Sequence, residues 1–218
     1  MGNTDDEPVT ENEWDRRRKA PAHFWAKAHN ARYSARVLQS LDEHVAVELA
    51  AQSAYRGTPS QALWEAFIRE ASIALELILK ALICAQCGKP PRTTHDVYAL
   101  WSEARLPSLK NDDWQRLAEM TEVLNWAGRY AAPTGDKKMD EARVRYTKHE
   151  HRIPLGATYI IEPAPLKWSD FDALYQIVLE QFLQVFELAL PRDKHPDPEI
   201  GVCPQSVCAR SSFAPRSA

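Results

Sequence analysis

Residues Ala74–Trp101 read ALELILKALICAQCGKPPRTTHDVYALW, and this stretch decides the fold. From Ala71 to Cys87, apolar residues occupy almost the whole circumference of a helix. Ser72, Glu76 and Lys80 run through them as one thin polar stripe at i, i+4 and i+8. A helix that is apolar on nearly every side belongs at the centre of a bundle. Its polar stripe must then find partners, because an unpaired buried charge is costly. Gly88 suits the left-handed position that closes such a helix, and Pro90-Pro91 prevent its resumption. Thr93-Thr94-His95-Asp96 then supply cap oxygens for the next helix, with Val97, Leu100 and Trp101 on its inner face.

Outward from this axis the same period continues. Pro21 fits the first turn of a helix. Phe24, Ala28, Ala31, Ala35, Leu38, Leu41, Val45, Leu49 and Ala50 recur at helical spacing, which predicts one long amphipathic helix over residues 22–54. Arg56-Gly57-Thr58-Pro59 separates it from the axial helix, expected over residues 60–87. Asn111-Asp112-Asp113 open a fourth helix holding Trp114, Leu117, Met120, Leu124 and Trp126, which fades at Gly128-Arg129-Tyr130. Phe171, Leu174, Tyr175, Val178, Phe182, Val185 and Phe186 predict a closing helix over residues 169–190.

The expected architecture is therefore all-α, an up-and-down bundle of about five helices with a long irregular insertion before the last. Residues 1–20 read as a disordered N-terminal segment, 21–190 as the helical domain with its insertion at 131–167, and 191–218 as a disordered tail. Within the insertion, Tyr159-Ile160-Ile161 reads as extended.

A net charge of −3 over 218 residues argues against a chain-wide electrostatic grip on nucleic acid, while leaving room for a local basic patch. With no apolar signal segment and no run near the ~20 apolar residues that a membrane span needs, the expected compartment is the cytoplasm. Cys84-Ala85-Gln86-Cys87 has metal-ligand spacing, and Cys203, Cys208 and His195 could complete a zinc site. The first pair lies on an apolar helix, where free Cys behaves as a small hydrophobe, so no metal and no cofactor are expected. The chain holds no Walker phosphate loop, GxGxxG, HExxH or GxSxG, which argues against conventional kinases, dehydrogenases, zinc proteases and α/β-hydrolases.

Three pieces arriving in order over residues 63–130 resemble the HEPN family, the all-helical domains of higher eukaryotes and prokaryotes associated with nucleotide binding. They are Ala74-Leu75-Glu76-Leu77-Ile78-Leu79-Lys80-Ala81-Leu82, then His95-Asp96-Val97, then the spaced Leu and Trp of the fourth helix ending in Arg129-Tyr130. The resemblance implies a dimer-forming helical module. Some such proteins are ribonucleases of defence or toxin–antitoxin systems. Others bind nucleotide or pair with a minimal nucleotidyltransferase without cutting. The ribonuclease members share an Arg followed a few residues on by His, brought together across a dimer cleft.

This chain departs from that pattern, because residues 169–190 contain neither Arg nor His. The spacing occurs instead in the insertion, as Arg143…His149 and Arg145…His151, beside Tyr146, Lys148 and Arg152, and again at Arg18…His23. His near neutral pH can take and return a proton, and Arg can hold a scissile phosphate. Arg143, Arg145, His149 and His151 are therefore the candidate catalytic residues, weighed against a solvated charged loop. Arg92, His95, Asp96, Arg129 and Tyr130 are candidate ligand-binding residues, although helix capping and dipole compensation explain them as well. Arg69, Ser72, Glu76 and Lys80 form a stripe that could line a dimer cleft. Glu76 and Lys80, in the favoured order, equally suit an ion pair tying the axis to a neighbour.

The function that best fits is a nucleotide-, RNA- or partner-binding HEPN-like module of a prokaryotic defence or toxin–antitoxin type system. It would act as a homodimer or beside a nucleotidyltransferase or antitoxin. A metal-independent ribonuclease using the insertion pair, and a purely structural dimeric scaffold, are the alternatives.

Overall fold

The computed structural model describes residues 12–127, 136–156, 158–162 and 164–189. Its elements are α1 (Glu13–Arg18), α2 (Pro21–Ser40), α3 (Glu43–Gln52), α4 (Pro59–Cys87), α5 (Val97–Glu103) and α6 (Asn111–Glu122). A π turn at Val123–Ala127 extends α6. Then come α7 (Asp136–Lys148), the strands β1 (His151–Leu155) and β2 (Thr158–Glu162), and α8 (Trp168–Ala189).

The all-α bundle is as expected, with α4 as its axis. Leu75, Ile78, Leu79 and Leu82 of α4 are wholly buried. Each such side chain contributes about 1.5–3 kcal/mol of transfer free energy relative to exposure. From one side α2 presents Ala28, Ala31 and Ala35, all buried, small enough to let the two backbones approach. From another, α8 supplies Phe171, Tyr175, Val178 and Phe182. Val97, Leu100 and Trp101 of α5 and Leu117 and Met120 of α6 complete the core. The Trp101 indole N–H donates to the Pro107 carbonyl at 3.0 Å, so this buried ring leaves no unpaired donor. Gly88 ends α4 at φ 63°, and its N–H donates to the Cys84 carbonyl, the left-handed closure that a glycine permits.

Three expectations need correction. The single helix over residues 22–54 is two, because the chain extends at Leu41 (φ −68°, ψ 127°) and restarts where the Asp42 carboxylate accepts the His44 N–H at 2.8 Å. A cap followed by acidic Glu43 outweighs the apolar period that runs through the break. The insertion at 131–167 is not irregular over its described part. Residues 136–148 form α7, and β1 and β2 pair antiparallel, Ile153 opposite Ile160 and Leu155 opposite Thr158, across a turn with Gly156 at φ 61°. The N-terminal segment is helical over Glu13–Arg18, where the Arg17 guanidinium reaches Glu13 one turn back. Residues 191–218 lie outside the described residues.

Candidate functional site

The polar residues singled out from the sequence gather where α4, α5, α6 and α7 meet. On α4, Ser72 is wholly buried, and its hydroxyl donates to the Ile68 carbonyl at 2.6 Å. Glu76 and Lys80, 6% and 9% exposed, pair at 2.6 Å. The same Glu76 carboxylate lies 3.1 Å from His95 Nδ1, which ties α4 to the segment leading into α5. Of the stripe, Arg69 alone is exposed. The i, i+4 spacing thus brings two charges together in the interior of the bundle, where a lone charge would be prohibitive.

Asp96 begins the second half of the site. One carboxylate oxygen caps α5 by accepting the Ala99 N–H at 2.9 Å, and the other faces Arg145 Nη1 of α7 at 3.7 Å. The Thr94 hydroxyl accepts the Asp96 N–H at 3.1 Å and fixes the turn. Arg145 also sends Nη2 and Nε to one oxygen of Glu122 on α6, at 2.5 and 3.2 Å. Glu122 is 3% exposed, so one guanidinium serves two carboxylates and pins α7 to the bundle.

Beside this network lies an aromatic nest. His149 directly follows α7 and is buried, stacked on Trp114 with ring centroids 5.8 Å apart and planes 20° apart. Its Nε2 is 2.9 Å from the Tyr98 hydroxyl, and Lys148 Nζ donates to that same hydroxyl at 3.1 Å. The polarity of this chain is fixed at its Lys148 end. An ammonium can only donate, so Tyr98 accepts from Lys148, and the direction of the Tyr98–Nε2 bond is set by the His149 tautomer. His149 Nδ1 is buried without a partner among the described residues. Burial first, and the Lys148 charge second, push the His149 pKa below its usual 6.5, so the ring is neutral at pH 7.

Among the remaining predicted residues, Arg143 is exposed on α7, and Arg92 is mostly exposed, with Glu103 3.7 Å away. His151 lies on β1, Arg129 and Tyr130 fall outside the described residues, and so do Cys203, Cys208 and His195. Cys84 is buried, its thiol donating to the Lys19 carbonyl and its pKa raised by burial and then by Cys87, which is exposed. Sequence reasoning left out Tyr98, Thr121 and Glu122, and gave Trp114 to the fourth helix without placing it in the site. Glu122 carried a signal, since it sits beside buried Thr121 and one turn from Ala118 on α6. Tyr98 carried none, because its partner lies 51 residues away.

The model of the HEPN domain matches residues 44–148. This stretch is a HEPN domain. The match runs from the second residue of α3 to the last of α7, so it takes in every described member of the polar network except His149. No curated protein and no solved structure matches the chain. Among the described residues, no helix is long and apolar enough to cross a membrane.

Proposed function

We propose that this HEPN domain is a nucleotide- or RNA-binding module of a prokaryotic defence or toxin–antitoxin type system, without cleavage of its own. In this reading it is cytoplasmic and works as a homodimer or beside a nucleotidyltransferase or antitoxin. The observation that carries the reading is that each of the two candidate pairs, Arg143…His149 and Arg145…His151, has one member already engaged. Arg145 is spent on Glu122 and Asp96, and His149 Nε2 is taken by Tyr98. A guanidinium held between two carboxylates has little left for a scissile phosphate, and a buried neutral imidazole has no exposed nitrogen to offer. Arg143 and Arg92, by contrast, stand in solvent, where cations can meet a phosphate backbone.

The ribonuclease reading keeps one feature in its favour. The Lys148–Tyr98–His149 chain is a proton path, and a movement of α7 that freed Nε2 would make it an acid–base device. Anisotropy with fluorescent single-stranded RNA and calorimetry with mononucleotides test the proposal. Binding by wild type should tighten at low salt, weaken severalfold in the Arg92→Ala/Arg143→Ala double variant, and leave the RNA intact after incubation. RNA cleaved by wild type and spared by His149→Ala would overturn it in favour of catalysis. No binding of any RNA or nucleotide would leave the structural scaffold.

A further inference from the structure

The cysteine pair at the end of α4 plays no part in the polar network. Cys87 is the last residue of α4 and is exposed, whereas Cys84, one turn earlier, is 1% exposed. A thiol in water can meet a dissolved disulfide, and a covered one cannot. Burial, and then the nearness of Cys87, raise the Cys84 pKa, so its proton stays on. Cys84 instead has a structural task. Its thiol donates to the Lys19 carbonyl at 3.3 Å, in the join between α1 and α2. The arm that this bond seats is lightly held, since Glu13, Arg16, Arg17 and Arg18 of α1 are all exposed.

The backbone lets the two cysteines approach. Residues i and i+3 of a helix lie on one side, with Cβ atoms about 5–6 Å apart. A disulfide needs about 3.5–4.5 Å. In the middle of a helix that gap would hold, but this turn is the last one. Gly88 leaves the helix at φ 63° with open space around its Cα, and its N–H donates to the Cys84 carbonyl at 2.8 Å. Lys89 and Pro90 beyond it are exposed, so little packing resists a shift. When the Cys84 carbonyl accepts the Cys87 N–H in place of the Gly88 N–H, the turn tightens to 3₁₀ and residues 84 and 87 eclipse. One hydrogen bond replaces another.

We propose that Cys84 and Cys87 close into a reversible disulfide that releases the N-terminal arm, making this turn a redox switch. The oxidant is a low-molecular-weight disulfide such as oxidised glutathione. The Cys87 thiolate attacks one of its sulfurs, expels the other as a thiolate and keeps a glutathione on Cys87. Cys84 then gives up its proton and attacks the Cys87 sulfur, and the second glutathione thiolate leaves. The protein loses two electrons and two protons, and the oxidant gains them as two thiols. Bonded to sulfur, Cys84 has no proton to donate, so the Lys19 carbonyl loses that tie. Reduced thiols reverse each step, and in a reducing compartment such a bond is transient, as a switch requires. The switch stands whether or not the domain binds nucleotide or RNA.

Intact mass and hydrogen exchange test this on the full chain with Cys203 and Cys208 replaced by Ser, incubated with oxidised glutathione. The mass should fall by two hydrogens, with no lasting glutathione adduct and no linked chains, and dithiothreitol should restore it. In the same background Cys84→Ser should stop at one stable adduct on Cys87, and Cys87→Ser should not react. The amides of Lys19, Ala20 and His23, which are bonded across the join, should exchange roughly tenfold faster in the oxidised chain than in the reduced one. The adduct of Cys84→Ser should keep slow exchange there, because the serine hydroxyl still donates to Lys19. A persistent adduct with both cysteines present, a disulfide between chains, or no reaction would each overturn the proposal. So would an internal disulfide that leaves those amides unchanged.

Discussion

Replacing Arg145 with Ala removes a cation that reaches both Glu122 and Asp96, and their burial sets what this should cost. The Glu122 side chain is 5% exposed, whereas that of Arg145 is 20% exposed and that of Asp96 28%. Breaking a fully buried pair from one side costs about 3–5 kcal/mol, because the remaining charge stays in a low dielectric. Partial solvent access to the guanidinium lowers that, so about 2–3 kcal/mol is expected. For a chain of this size the loss corresponds to a fall in Tm of about 4–12 °C. Urea titration followed by far-UV circular dichroism should show the midpoint fall, and α7 should exchange its amides faster. The mechanism is isolated by the double-mutant cycle with Glu122→Gln. In the neutral background Arg145→Ala should cost at least about 1 kcal/mol less, since no buried carboxylate is left behind. Equal losses in both backgrounds, or a loss under about 0.5 kcal/mol in wild type, would show that Arg145 is not a structural anchor. The residue would then be free for a ligand.

The remaining expectations concern titration and packing. His149 has a folded-state pKa below its usual 6.5, so the fold prefers the neutral ring. Stability from this source is complete above that value. It is lost as pH falls through the folded pKa, because the unfolded chain takes the proton first. The gap in stability between pH 7 and pH 5 should therefore shrink in His149→Phe, as measured by urea midpoints, and an unchanged gap would refute the assignment. Leu82 is wholly buried on α4, and Leu82→Ala should cost about 2–5 kcal/mol by thermal denaturation. A smaller loss would mean that the axis collapses around the missing atoms.

What could be read in the chain beforehand divides along a physical line. The axis was plain because burial on every side leaves a composition that no surface helix has, and Gly88 and Asp96 mark local backbone requirements. The break at Leu41–Asp42 was also written locally, in a cap followed by an acidic first turn, but the apolar period continuing across it is the louder signal. The helix α7 was hidden. Its residues are mostly charged, Ala142 is a buried apolar side chain among them, and the helix is secured by Arg145 reaching α6. The site was half visible for the same reason. Glu76 and Lys80 meet one turn apart, whereas the contact of Tyr98 with His149 is made by the fold and has no local pattern.

The corner built by α3 has a consequence for how the molecule loosens. Ala46 is its one fully covered residue, Val47 and Leu49 stand about half in water, and clefts of roughly 210 and 240 Å³ lie between it and the start of α4. An element with so little to lose opens at a small fraction of the global free energy. The bundle therefore has a hard keel and a soft prow. Among the described residues, proteases should cut first around 53–58, and a chain nicked there should still hold its remaining helices together.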